Sequence, residues 1–190
     1  MNSYFAHRTA VLDEGVKIGE GTRIWHFSHI MTGAVIGRDC NLGQNVMIAG
    51  KVVLGDHVKV QNNVSVFSGV TCEDEVFIGP SVVFTNIKNP RSAISRSDSF
   101  MSTFIRKGAT IGANATIICG YEIGEYAMIG AGSVITKSVK AFALVVGNPG
   151  RQIGWVSKAG HQLDFNANHI AVCPEKKDKY QLSNEQVYLI

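Results

Sequence analysis

Carboxamides recur in this chain at a spacing of 18 residues. Gln44 stands 18 before Asn62, Asn45 stands 18 before Asn63, and Gln61 lies beside them. His26 precedes Gln44 by the same step, next to Trp25, and His29 follows shortly after. A carboxamide both donates and accepts hydrogen bonds, so a column of them suits sugar hydroxyls, pyrophosphate oxygens or a pyrimidine edge. A second reading stays open beside it. Stacked Asn and Gln also bond to one another along a repeat and stabilise it. The histidines are candidate general bases, although an outward histidine is more often plain surface. A further group sits in "TNIKNPRSAISRSDSFMSTF", which carries Asn86, Asn89, Arg91 and Arg96. A guanidinium there, or that of Arg23 near the amides, offers bidentate contact to a carboxylate; the sequence does not choose among the three.

These spacings need a scaffold, and the aliphatic residues supply one. In "VIGRDCNLGQNVMIAGKVVLG" an aliphatic returns every sixth position: Ile36, Leu42, Ile48, Leu54. The phase extends from Leu12 to Phe84, breaks, and resumes from Ile105 to Ile135. Four residues after each aliphatic stands a small or β-branched residue such as Ala34, Cys40, Val46 or Val52; Tyr121 breaks that rule. Six is neither the helical period nor plain strand alternation. It describes one side of a stacked β-solenoid, whose units bury their apolar face only against neighbours. Three sides make a coil of 18 residues, so residues 18 apart stack at about 4.8 Å. On that map Glu20, Arg38, Asp56 and Asp74 form a charged outer face, and His26, Gln44, Asn62 and Pro80 an uncharged one. Thr32, Gly50, Ser68 and Asn86 head the third face. Glycine often follows the aliphatic, as at Gly19, Gly37, Gly55 and Gly112, which suggests corners with unusual backbone angles. The phase break puts an inserted loop at about residues 85–104, and a loop leaving a rigid scaffold is a common place for function.

The chain has 190 residues and a formal net charge of +3, which fits one domain and calls for neither nucleic acid nor a membrane surface. It has no apolar run long enough for a membrane span, and "MNSYFAHRTAVLDEG" has no apolar h-region. The four cysteines show no paired spacing. Cys40 and Cys72 are expected inward, Cys119 outward and free. A reducing cytoplasm is the expected home.

The [LIV]-G-x-x-[STAV]-x pattern over roughly residues 10–155 resembles the hexapeptide-repeat acyltransferases. That resemblance implies an all-β, left-handed parallel β-helix in domain 1–155, a homotrimer with sites between subunits, and acetyl-CoA as cosubstrate. The left hand comes from the resemblance alone, since crossovers in general are right-handed. "LGQNV", "VQNNVSVF", "FTNIKNPRSAI", "RKGATIGANATIICG" and "ALVVGNPGRQIGW" resemble a narrower group, which acetylates the 3-amino group of nucleotide-linked sugars for bacterial surface polysaccharide. Within it the likeness is greatest to the UDP-linked 2-acetamido-3-amino-glucuronate enzymes; those acting on dTDP-3-amino-3,6-dideoxyhexoses are the alternative. Residues 156–190 form an extension in which "WVSKAGHQL" and "CPEKKDKY" resemble two metal knuckles. Their thiol positions hold Ser157, Ala159, Cys173 and Lys176. One thiol cannot build a tetrahedral zinc site, so a small hairpin without metal is expected.

For an acetyl acceptor of this kind, the resemblance makes Asn86 the first candidate for positioning the amine, with His26 and His29 as candidate bases. The amides Gln44, Asn45, Gln61, Asn62 and Asn63 would meet the sugar nucleotide, and Arg91, Arg96 or Arg23 a uronate. Acetyl-CoA would run along the axis past Gly112, Ala113, Gly130, Ala131 and Gly132. Asn148, Arg151, Lys137 and Lys140 would lie near its nucleotide. Two rivals are weaker. A metal hydratase like the γ-class carbonic anhydrases needs three convergent histidines, and only His26 and His29 are close. A non-catalytic solenoid platform does not need an amide face beside a basic loop.

Overall fold

The computed structural model describes residues 4–190; residues 1–3 of the expected 1–155 domain, which also begin the stretch read for a leader, lie outside the described residues. Two-residue strands alternate with two-residue turns and stack into three parallel sheets. In the first sheet Arg23 pairs with Asn41, Asn41 with Lys59 and Lys59 with Phe77. In the second, His29 pairs with Met47 and Met47 with Ser65. In the third, Lys17 pairs with Val35 and Val35 with Val53. Every step is 18 residues, as the hexad spacing requires. After the insertion Thr71 pairs with Phe104, Phe77 with Thr110 and Val83 with Thr116, a step of 33. The coil therefore closes over the insertion without losing register, and the extra residues leave as a loop with one 3-10 turn at Ser97–Ser99.

The repeat aliphatics form the interior. Ile24, Ile30, Leu42, Ile48, Val60, Ile78, Ile105, Ile111 and Ile117 are fully buried, each stabilising the fold by about 1.5–3 kcal/mol relative to exposure. Leu12 and Ile18 are only half-buried, because the first coil packs on one neighbour instead of two. At Thr22 and Ser28 the second inward position carries a hydroxyl that the next coil satisfies. Thr22 Oγ1 donates to the Gly37 carbonyl (2.8 Å) and accepts from the Cys40 N–H (3.0 Å). Ser28 does the same with Gly43 and Val46.

Three expectations are corrected. The charged and amide columns do not lie on flat faces. They are the turns between sheets, where the chain bends and side chains fan outward. The second residue of the turn takes a left-handed φ, as at Asn45 (56°) and Asn63 (62°), a conformation that Asn tolerates better than most residues. The glycines after the aliphatics are not there for such angles. They are required by the closeness of the next coil: a Cβ on Gly37 would meet the Gly55 backbone at 2.5 Å, and one on Gly112 the Ala131 nitrogen at 2.5 Å. Cys119 is buried, not outward. The turn at residues 118–121 is irregular, and Cys119 is covered at the neck of the insertion, where its N–H donates to Thr85 Oγ1, instead of packing among the repeat aliphatics.

At the far end Ala143–Val146 is the last parallel strand of the first sheet, and Arg151–Trp155 returns antiparallel to it. The expected hairpin gains a third strand: Ile170–Val172, Lys179–Ser183 and Gln186–Leu189 form an antiparallel sheet. Tyr180, Cys173, Leu163 and Ala171 pack there on Phe142, Tyr126 and Trp155. Ser157 and Cys173 are both buried, and the Lys176 N–H approaches Cys173 Sγ at 3.5 Å. Burial raises the Cys173 thiol, but the Ser157 hydroxyl and the N–H groups of Lys176 and Glu175 outweigh it and leave the pKa lowered. A hydrogen-bonded thiol stands where the knuckle resemblance would have metal. Among the described residues no three His, Cys, Asp or Glu side chains gather as a metal site, and no helix is long and apolar enough to cross a membrane.

Candidate functional site

The turn between the first and second sheets carries the carboxamides, and the 18-residue map holds there. The Gln44 N–H donates to Asn62 Oδ1 (2.8 Å), and Asn45 Nδ2 donates to Asn63 Oδ1 (3.2 Å). The charged corner follows the same rule: Asp56 Oδ1 accepts from the Arg38 N–H, and Asp74 Oδ1 from the Asp56 N–H. A side-chain oxygen that caps the coil below is thus a structural device of this solenoid, and Asn62 serves it. Both readings of the ladder hold together at this corner. The Asn62 oxygen is committed to the fold, while its donor group and the Gln44 side chain remain on the outside.

A groove of about 290 Å³ runs along this corner, lined by Trp25, His26, Asn41, Gly43, Gln44, Gln61 and Asn62. It shares Asn41 and Gln61 with a wider groove of about 600 Å³ across the first sheet, which adds Arg23, Asp39, Lys59 and Phe77. Trp25 Nε1 donates to Asn41 Oδ1 (2.8 Å), fixing the indole at the groove's edge. His26 stacks on His7 with ring centroids 3.6 Å apart. His29 points out of the second sheet, its Nε2 2.9 Å from Asp13 Oδ1. That hydrogen bond, with a second from the Thr32 N–H, outweighs a small desolvation effect and holds the Asp13 carboxyl below its ordinary range.

The other predicted residues stand at a different corner. The insertion leaves where the second sheet turns toward the third, and Asn86 is half-buried at its base. Its carbonyl accepts from the Met101 N–H (3.0 Å), closing the neck of the loop. Arg91 is exposed and folds back on the Pro90 carbonyl (3.0 Å). Arg96 is partly covered, and its enclosed Nη1 finds no acceptor among the described residues. From the Pro80–Ser81 turn to Asn86 the chain crosses the width of the second sheet, about 15 Å. His29 lies three strands below Val83 in that sheet, about 14 Å along the axis. One chain therefore unites Gln44, Asn45, Gln61, Asn62, Asn63, His26 and, through the wider groove, Arg23. It does not bring Asn86, Arg91 or Arg96 to them, and neither histidine reaches Asn86.

The residues considered for acetyl-CoA continue the amide corner upward. Ala113, Ala131 and Gly132 occupy the same turn, with Gly112 and Gly130 one step before it. Gly112 is explained by coil contact, whereas a Cβ on Gly132 would meet nothing within 4 Å. Asn148 and Arg151 are exposed around the return turn. Lys137 lines a cleft of about 120 Å³ with Gly150 and Gln152. Lys140 is engaged by Glu185 (2.9 Å). Sequence reasoning missed Asn41 and Lys59 in the grooves, and the pairing of Lys88 with Tyr121 at the insertion. Asn41 and Lys59 are strand positions, and the column search followed turns. Tyr121 did leave a signal, as the exception to the small-residue rule.

The bacterial transferase hexapeptide pattern, six repeats, matches residues 15–50, 33–68 and 102–137. The chain is 46% identical over 177 residues, 93% of its length and 91% of the relative's, to a dTDP-3-amino-3,6-dideoxy-α-D-galactopyranose 3-N-acetyltransferase of Aneurinibacillus thermoaerophilus. A hexapeptide-repeat acetyltransferase of Vibrio cholerae, solved with acetyl coenzyme A, superposes with a TM-score of 0.52 at 27% identity, covering 61% of this chain and 70% of that one. The acetyltransferase domain of PglB from Neisseria gonorrhoeae shares the fold at 22% identity and a TM-score of 0.52; 79% of this chain is covered, spanning 57% of the solved chain. The chain belongs to the hexapeptide-repeat transferase family.

Proposed function

We propose that this chain transfers acetyl from acetyl-CoA to the 3-amino group of a nucleotide-linked amino sugar. It is an acetyl-CoA-dependent N-acetyltransferase. The observation that carries the reading is one edge of the solenoid. Amides and an aromatic groove occupy its lower coils, and small residues that let a ligand approach the backbone occupy its upper ones. The 46%-identical relative, an N-acetyltransferase of a dTDP-3-amino sugar, supports it over nearly the whole chain.

The chemistry makes three demands: a neutral amine held against the thioester carbonyl, donors for the tetrahedral oxyanion, and an exit for the proton. A sugar amine is less basic than lysine, so positioning can supply most of the acceleration. Asn86 is the positioning group: its amide oxygen accepts one amine hydrogen and aims the nitrogen lone pair, without acting as a base. His26, under the His7 ring beside the amides, and His29, tied to Asp13, are the candidate bases.

In this reading the protein works as a homotrimer, which the placement of the two halves supports. The amide corner and the Asn86 corner flank the second sheet, whose outward strand positions are Val11, His29, Met47, Ser65 and Val83, with the exposed Met31 and Phe67 at its edge. Packing that surface against another copy brings one chain's Asn86 toward its neighbour's amides. The place of action is the cytoplasm, where acetyl-CoA and sugar nucleotides for surface polysaccharide are made.

Two sugars fit. A UDP-2-acetamido-3-amino-glucuronate would present its carboxylate to Arg91, Arg96 or Arg23. A dTDP-3-amino-3,6-dideoxyhexose, favoured by the relative's substrate, has no such carboxylate. Acetylation of a panel of UDP- and dTDP-linked 3-amino sugars with acetyl-CoA decides between them, and turnover of none of them removes the reading.

A further inference from the structure

The one break in the small-residue rule sits against the neck of the insertion. Cys119, Gly120 and Tyr121 follow the strand that pairs with Val83–Phe84, and they grip both ends of the loop. On the incoming side, the Cys119 N–H donates to Thr85 Oγ1 (2.9 Å). Lys88 Nζ lies 4.3 Å from the centre of the Tyr121 ring and 3.1 Å from its hydroxyl. On the outgoing side, the Gly120 N–H donates to the Ser102 carbonyl (3.1 Å), and the Phe104 N–H to the Tyr121 carbonyl (3.3 Å). Met101 covers Gly120 so closely that a Cβ there would meet its Cε at 2.6 Å. Asn86 lies between the Thr85 and Lys88 anchors, and its own carbonyl is bonded to Met101.

A serine, alanine or valine at position 121 would point inward as its repeat equivalents do. It would offer Lys88 no platform. The tyrosine instead presents a π-face and an oxygen to the ammonium, two attractions for one cation. Neither is needed for coil stacking, which the strand ladders on either side already supply.

We propose that Tyr121 and Lys88 are positioning residues for acetyl transfer, clamping the neck of the insertion so that the Asn86 carboxamide is held toward the amine. This rests on the role given to Asn86 above. They touch no reacting atom. Their effect passes through Asn86, where a displacement of about 1 Å is enough to cost orders of magnitude in rate.

The test compares Tyr121→Ser, Tyr121→Phe, Lys88→Met and Lys88→Arg with Asn86→Ala, each alone, and Tyr121→Ser together with Asn86→Ala. The sugar nucleotide that turns over best in the panel is the acceptor. Tyr121→Ser and Lys88→Met should lower kcat about tenfold or more while KM for acetyl-CoA stays within about twofold. Tyr121→Phe keeps the π-face and Lys88→Arg keeps a cation, so both should retain most of the rate. In the Asn86→Ala background, Tyr121→Ser should add less than about a twofold loss, because residues acting through one group are not additive. Wild-type kcat in both Tyr121→Ser and Lys88→Met, with Asn86→Ala impaired, overturns the clamp and leaves the Asn86 reading standing. So does a double variant in which the losses multiply. Full activity in Asn86→Ala overturns the reading of Asn86 and the clamp with it.

Discussion

Asn86 and Asn62 are both asparagines on outward turns, yet they stand in different physical situations. Asn62 Oδ1 accepts from the Gln44 N–H, so replacing it with alanine removes a net hydrogen bond of about 0.5–1.5 kcal/mol. Asn62→Ala is expected to lower the melting temperature by a few degrees; an unchanged melt would show that the bond contributes nothing. Asn86 holds the loop neck through its backbone carbonyl, which substitution leaves in place. Asn86→Ala should therefore keep the melting temperature and the affinity for acetyl-CoA while turnover falls about tenfold or more. Calorimetric titration with CoA beside a steady-state assay separates the two effects.

At the scale of the strand and turn, glycine and cysteine report how tightly the coils nest. A Cβ on Gly37 would sit 2.5 Å from Gly55 backbone atoms, and neither coil can withdraw without breaking ladder bonds on both sides. Gly37→Ala should destabilise by at least about 1–3 kcal/mol, the usual cost of overpacking. Thermal unfolding checks it, and a stable alanine variant would mean the coils slide apart more easily than this spacing implies. Burial covers the thiols too, Cys40 and Cys72 inside the solenoid and Cys173 in the C-terminal sheet. All four cysteines are buried, and burial pushes the Cys72 pKa up to about 12. A thiol reagent should label none of the four rapidly in the folded protein and all four in denaturant. Fast labelling at Cys119 would restore the outward placement that its position in the sequence suggested.

On the scale of the whole molecule, ion pairs across coils set the response to acid. Arg106 joins Glu73 (2.8 Å) and Glu122 (2.6 Å) on successive strands of the third sheet. Hydrogen bonds from Arg106 and from the Lys107 N–H hold the Glu73 carboxyl below its ordinary range. The Arg38 side chain does the same for Asp56, helped by the Arg38 N–H. A carboxylate held low contributes stability that is complete above its unfolded pKa and lost as pH falls through the lowered folded one. The melting temperature should thus hold near neutrality and drop below about pH 4. Arg106→Met should shrink that drop; an identical acid profile would show that these exposed pairs contribute nothing, as many surface pairs do. The trimer is tested at the same scale. Sedimentation equilibrium should give three copies, with Phe67→Glu at the edge of the second sheet driving the protein toward monomer and abolishing turnover. A fully active monomer would place the complete site within one chain.

The linear chain by itself determined the coil. Each hexad aliphatic is buried by the same local geometry at every repeat, so period alone places Ile24, Leu42 and Val60 on one inner line and Gln44 between His26 and Asn62 on an outer one. The insertion is visible for the same reason, as a loss of phase between Phe84 and Ile105. Tertiary structure decided the rest. The columns turned out to be corners because the outward direction depends on where the chain bends, which a period of six does not specify. The glycines answer to backbone on the next coil, and Cys119 to the loop neck, where its N–H meets Thr85 Oγ1, both contacts between residues far apart in the chain. The separation of Asn86 from the amides by the width of a sheet belongs to the same class: distance across a face is set by how strands are laid side by side, and no residue type or spacing along the chain encodes it.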